Sequence, residues 1–235
     1  MTKEYDAVFA GIGTLKPKTL GIPGEDLKGV EHVIPFLESI NCHVRKTIGK
    51  RVAVVGAGFS AMDAVRVSRR LGSEAFIVYR RTVLEMPASS DEIEEAEAEG
   101  VKMMTLCAPV RVVGDEHGHV RALECQRMEL GEKDDSGRAA PHPVPGSEFL
   151  IECDMVVQAI SQAVDTEASE GVELDPKWKT FKVNDKFETS VKGLFACGDC
   201  VTGPMSIVNA VGDAHRASDA IDAFLQSEKK ETPSQ

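Results

Sequence analysis

The residues with the clearest chemical promise form one run, Arg51-Val52-Ala53-Val54-Val55-Gly56-Ala57-Gly58-Phe59-Ser60-Ala61. A β-branched apolar stretch leads into G-x-G-x-x-A, and Met62-Asp63-Ala64-Val65-Arg66-Val67 continues it in a helix-compatible pattern. Strand, glycine turn and helix in that order are the context in which such a turn binds a dinucleotide. Gly56 permits the tight turn, Gly58 lets the backbone approach a pyrophosphate, and Ala61 lets the helix pack closely on the strand. Ala57, Phe59 and Ser60 complete the turn and open the helix, whose unpaired N–H groups and positive dipole end favour phosphate. A glycine turn that serves packing alone is the bland alternative.

The next strand of such a fold ends about 20 residues further on, where a carboxylate bonds the ribose of NAD. Here that strand is Ala75-Phe76-Ile77-Val78, and Tyr79-Arg80-Arg81 stands at its tip. Guanidinium groups make forked, charge-assisted bonds to phosphate, so Arg80 and Arg81 suit the 2′-phosphate of NADP rather than NAD. One arginine of the pair could equally be a solvated surface residue.

Elements that must hold these groups follow from composition and pattern. At 235 residues, 42% hydrophobic and 28% charged, the chain can bury a substantial core. A net charge of −11 disfavours nucleic acid and anionic membrane as partners. No apolar run approaches the roughly 20 residues of a membrane span, and the first residues do not read as a signal peptide. Six cysteines lack the spacing of a disulfide framework, an iron–sulfur run or a metal site, so a cytoplasmic, reduced protein is expected. Cys197-Gly198-Asp199-Cys200 is formally C-x-x-C, but it follows a strand and reads better as two reduced thiols than as a redox pair.

Three blocks are expected, residues 1–45, 46–160 and 161–235. The first opens on an apolar strand over 5–13 and holds an amphipathic stretch over 31–40. The second carries the glycine turn. It then gives an acidic helix capped by Ser89 or Ser90, a hairpin of 102–113 with 120–130, and a polar loop over 131–146. Acidic residues 91–99 read as a solvated helix face rather than a catalytic cluster. The third block gives strands near 181–183 and 194–196 and a helix over about 206–225. Its apolar stripe includes Ile207, Val208, Val211, Ala214, Ala217 and Ile221. Residues 229–235 read as a disordered tail.

Several motifs now combine into a resemblance. Leu20-Gly21-Ile22-Pro23-Gly24-Glu25 resembles an L-x-I-P-G-E connector. Val78-Tyr79-Arg80-Arg81 followed by Glu85-Met86-Pro87-Ala88 resembles a Y-R-R…E-M-P-A signature. Leu194-Phe195-Ala196-Cys197-Gly198-Asp199 with Gly203-Pro204 resembles an F-A-x-G-D segment. Together with the glycine turn, they are similar to the NADPH/FAD oxidoreductase module of the glutamate synthase small (β) subunit and dihydropyrimidine dehydrogenase. That resemblance implies an α/β fold in which a Rossmann-like NAD(P)-binding domain is inserted in the remaining part of an FAD-binding domain. It implies that Gly198 and Asp199 meet the ribityl chain of FAD, and that Met205 and Ser206 begin a helix aimed at the flavin.

The sequence also departs from the family. Only Gly11 and Gly13 precede the connector, so the first FAD-domain glycine turn and the cysteine-rich iron–sulfur region are absent from these residues, and Ser161 stands where the family has glycine. The function implied is hydride transfer from NADPH to flavin. A protein partner would then supply the first half of the FAD domain and the iron–sulfur clusters. That step needs no general acid or base, so no catalytic residue is named. The alternative is a truncated NADP(H)-binding module without turnover. A short-chain dehydrogenase fares worst, because Tyr5 and Tyr79, the two tyrosines, both lie on strands.

Overall fold

The computed structural model describes residues 4–45, 47–134, 136–165, 167 and 171–231. In chain order the strands are β1 (Val8–Ala10), β2 (Lys16–Pro17), β3 (Val30–His32), β4 (Arg51–Val55), β5 (Glu74–Val78) and β6 (Lys102–Met104). There follow β7 (Cys107–Gly114), β8 (Val120–Lys133), β9 (Ala139–Glu152), β10 (Met155–Gln158), β11 (Gln162–Ala163) and β12 (Leu194–Ala196). The helices are α1 (Val33–Asn41), α2 (Phe59–Arg70), α3 (Ser90–Ala98), α4 (Asp199–Thr202) and α5 (Ile207–Glu231), with a 3-10 turn at Val83–Glu85.

The chain divides into two units, residues 19–160 and residues 1–18 with 161–235. The first division therefore lies at Lys18/Thr19 rather than near residue 45. The cause is pairing: β3 lies in register with β10, matching Val30 to Val156, and this binds the stretch after the connector to the larger unit.

Residues 19–160 are built on a parallel sheet in the order β3-β10-β4-β5-β6. Its central strands are apolar at nearly every position because both faces are covered. Val52, Val54, Ile77 and Val157 face α1, α2 and α3, where Phe36, Met62, Val65 and Ile93 close the core. Ala53, Val55, Phe76 and Val156 face the other way, onto Val112, Leu123, Cys125 and Ile151 of an antiparallel sheet, β7-β8-β9. Each fully buried valine or leucine contributes roughly 1.5–3 kcal/mol of transfer free energy. Ser89 caps α3, its hydroxyl accepting from the Glu92 amide at 3.4 Å.

Two sequence expectations give way here. Residues 102–113 are not one hairpin arm, since β6 joins the parallel sheet and β7 the antiparallel one. The expected loop over 131–146 is mostly strand, with Met128 opposite Pro143 and Leu130 opposite Pro141. Prolines argue against a central strand, but β9 is an edge strand, where the missing N–H groups cost no ladder bond.

In the smaller unit β1 pairs parallel with β12, Phe9 opposite Phe195, and β2 pairs antiparallel with β11. Only Val8–Ala10 of the expected strand over 5–13 is extended in this way. Val164, Phe181, Ala196 and Cys200 form its core, and Phe224 of α5 stands edge-on to Phe195 at 5.4 Å. Helix α5 runs to Glu231, past the start of the expected tail, while 232–235 lie outside the described residues.

Ser161 adopts φ +101°, a left-handed conformation that a side chain disfavours. Ser161→Gly is expected to raise stability by about 1 kcal/mol, since relief of strain outweighs the added freedom of the unfolded chain. A higher midpoint in thermal denaturation checks this, and an unchanged or lower midpoint refutes it.

Candidate functional site

β4 and β5 are neighbours in register, Val55 beside Val78, so their carboxyl ends deliver Gly56 and Tyr79 side by side. This is the edge at which open parallel sheets bind ligands. Gly56 has φ +132°, and a Cβ there would lie 2.1 Å from the Ala159 carbonyl oxygen. The turn passes that close to the end of β10, so glycine is required by the fold itself. Ala57 is buried and its carbonyl accepts from the Ala88 amide at 3.2 Å.

Gly58 presents the opposite case. It is the N-cap of α2, yet a Cβ on it would meet nothing within 4 Å. No neighbouring protein group needs glycine at this point, whereas a phosphate approaching the backbone would. No side chain caps α2. The first-turn N–H groups of a helix lack intrahelical partners and carry the positive end of its dipole. Phe59 is exposed beside them, Ser60 is half-buried, and Ala61 is fully buried against the sheet. The residues present therefore fit a dinucleotide diphosphate.

At the tip of β5 the three polar residues have different fates. The Tyr79 ring is buried and its hydroxyl donates to the Glu85 carbonyl at 2.8 Å, which fixes the loop that follows. Arg80 is exposed, and its side chain has no hydrogen bond or ion pair among the described residues. Arg81 is only 2% exposed. Its Nε donates to the Ala139 carbonyl at 2.7 Å and a terminal nitrogen donates to Asp134 Oδ2 at 2.5 Å. Of the two guanidinium groups expected at a 2′-phosphate, Arg80 is free to meet one. Arg81 is committed to the β8–β9 hairpin, through partners 53 and 58 residues away in a stretch that reads as loop.

In the smaller unit, Gly198, Asp199, Met205 and Ser206 come together around a cleft of about 340 Å³. Phe9 of β1 and Gly11 and Gly13 just beyond it also line the cleft, a contribution marked in the sequence only by the small residues that follow the strand. Gly198 has φ +72°, which turns the chain from β12 into α4. Asp199 Oδ1 accepts from the Met205 amide at 3.1 Å, and its second oxygen has no partner among the described residues. Ser206 caps α5 by accepting from the Asn209 amide at 3.3 Å. The apolar stripe at the start of α5 is not covered: Ile207 is 82% exposed and Val208 81%. Small residues, an available carboxylate oxygen and an apolar wall fit part of a flavin and its ribityl chain.

The C-x-x-C thiols are poorly placed for redox work. Cys200 Sγ donates to the Cys197 and Ala10 carbonyls at 3.2 and 3.4 Å, and burial pushes both thiols above their ordinary range. All six cysteines are free. Among the described residues no cluster of His, Cys, Asp and Glu could hold a metal, and no helix is long and apolar enough to cross a membrane.

Residues 1–214 match the family described as pyridine nucleotide-disulphide oxidoreductase. The β subunit of an NADP(+)-dependent formate dehydrogenase from Moorella thermoacetica is 43% identical over 96% of this chain and 32% of its own length. The β subunit of an NADPH-Fe(3+) oxidoreductase from Geobacter sulfurreducens is 38% identical over 97% of this chain and 38% of its own. The glutamate synthase [NADPH] small chain of Escherichia coli is 33% identical over 96% and 52%. The chain thus spans about a third to a half of these relatives. FprA of Mycobacterium tuberculosis, solved with NADPH, superposes with a TM-score of 0.80 at 21% identity, over 98% of this chain and 66% of its own, and so shares the fold.

Proposed function

Since the chain belongs to the pyridine nucleotide-disulphide oxidoreductase family, we propose that it is the NADPH-binding and flavin-closing part of an NADPH-dependent FAD oxidoreductase of the glutamate synthase small-subunit kind. The observation that carries this reading is Gly58, a glycine that the surrounding protein does not require, at the uncapped start of α2 and the carboxyl edge of the sheet. The pyrophosphate lies against Gly58, Phe59 and Ser60, and Arg80 bonds the 2′-phosphate.

The cleft of the smaller unit holds part of FAD. Asp199 accepts from a ribityl hydroxyl, and the first turn of α5 sets its positive dipole end towards the flavin, where reduced charge accumulates. When bound, FAD supplies hydride chemistry towards NADPH and single-electron transfer towards iron–sulfur clusters. Those clusters, and the remaining FAD-binding surface, come from outside these 235 residues, and the electrons pass on to a protein partner. Two observations support a partner. The relatives are named as subunits or small chains, and the apolar start of α5 is exposed.

Two measurements test the reading. Purified protein that carries flavin, or takes it up with its partner, should lose its yellow absorbance when titrated with NADPH. Arg80→Gln should weaken NADPH binding at least tenfold while NADH binding hardly changes, since a charge-assisted phosphate bond is worth about 1.5–3 kcal/mol. Equal loss for both nucleotides removes the 2′-phosphate from this tip.

A further inference from the structure

We propose that Arg138, at the far end of the β8–β9 hairpin, is the second cation of the 2′-phosphate site and so a determinant of NADPH over NADH; this rests on the placement of NADPH above. Arg81 bonds Asp134 on one side of Arg138 and Ala139 on the other. Those two bonds bracket Arg138 and bring it to the tip of β5. Its own NH1 lies 3.5 Å from the Glu85 carbonyl, the same oxygen that accepts the Tyr79 hydroxyl.

The side chain is half-buried, yet its partners are neutral: that carbonyl and the Ser136 hydroxyl, at 3.1 Å from Nε. Among the described residues no carboxylate pairs with it. Two described acids on the same segments have partners of their own. Asp134 serves Arg81 and Ser136, and Glu85 accepts from the Thr82 amide and hydroxyl. A guanidinium has five donors in a planar fork, so most of this one remains available, and a phosphate is the anion whose geometry that fork matches. A partly desolvated cation that no described carboxylate pairs is stabilised when a ligand brings an anion. Arg138 and Arg80 then flank the phosphate, and Arg81 is a positioning residue that holds the hairpin in place.

The experiment titrates the full chain with NADPH, NADH and 2′,5′-ADP for wild type, Arg80→Gln, Arg138→Gln and Arg138→Lys, with thermal melts of each. Arg138→Gln is expected to weaken NADPH and 2′,5′-ADP roughly tenfold or more while NADH shifts less than twofold, and Arg138→Lys to recover part of the loss. If Arg80→Gln loses NADPH selectively and Arg138→Gln does not, the inference about Arg138 falls and the NADPH reading stands. If neither substitution changes the preference for NADPH, the placement of the 2′-phosphate falls as well. A loss for Arg138→Gln that tracks a lowered melting midpoint and affects NADH equally overturns the specificity role in favour of a structural one.

Discussion

Replacing Gly56 by alanine is expected to cost residues 19–160 roughly 3–5 kcal/mol and to abolish nucleotide binding in the same step. The added Cβ would stand 2.1 Å from the Ala159 oxygen and 2.8 Å from its carbon, both backbone atoms at the end of a central strand. Ala159 cannot simply retreat, because its amide donates to Val55 at 2.8 Å and holds β10 against β4. The φ of +132° adds strain that no rearrangement of neighbours removes. Chemical denaturation should show the midpoint falling. Gly58→Ala is the contrasting control: its Cβ enters open space, so stability should move by no more than about 1 kcal/mol, a poorer N-cap being the main loss. NADPH binding should nevertheless be lost. A Gly58→Ala protein that binds NADPH normally would falsify the approach of the pyrophosphate to this turn.

The second large effect is expected at Arg81. Arg81→Ala should lower stability by about 2–3 kcal/mol, through lost packing of a buried side chain and through the Ala139 carbonyl left without its donor. Arg80→Ala, two residues past the same strand, should stay within about 0.5 kcal/mol of wild type because its side chain contacts nothing that folding requires. Lysine should rescue Arg81 poorly, since one ammonium cannot reproduce the forked geometry that reaches both Ala139 and Asp134. Hydrogen exchange over the distal hairpin is the direct readout: the amides of residues 128–134 and 136–140 should exchange faster in Arg81→Ala and normally in Arg80→Ala. Matching destabilisation by the two variants would show that burial and hydrogen bonding do not separate the roles of these neighbours.

The adjacency of Arg80 and Arg81 shows how far local pattern carries. A tip of two arginines after a buried strand announces phosphate chemistry, and one of them stands free for it. The partner that claims the other is reached only when β8 and β9 extend through residues 131–146, where three prolines and several polar residues argue for loop. Edge position makes those prolines tolerable, and edge position is a property of the assembled sheet. Arg138 was invisible for the same reason. Likewise the boundary before the connector depends on β3 pairing with β10, more than a hundred residues apart, and nothing in residues 30–45 alone discloses it.

The sequence by itself determined the parallel sheet, the glycine turn, the helix behind it, the family and the strand that leads to Gly198. Each is encoded by local spacing: period-two and continuous apolar runs, glycines where φ is positive, a serine cap before an acidic helix. The tertiary structure alone decided which glycine the fold requires and which it does not, which arginine is buried and bonded, and that residues 131–146 are mostly strand. Those distinctions depend on distances between residues far apart in the chain: the 2.1 Å between a Cβ on Gly56 and the Ala159 oxygen, the open space within 4 Å of a Cβ on Gly58, and the guanidinium of Arg81 tied to Ala139 and Asp134.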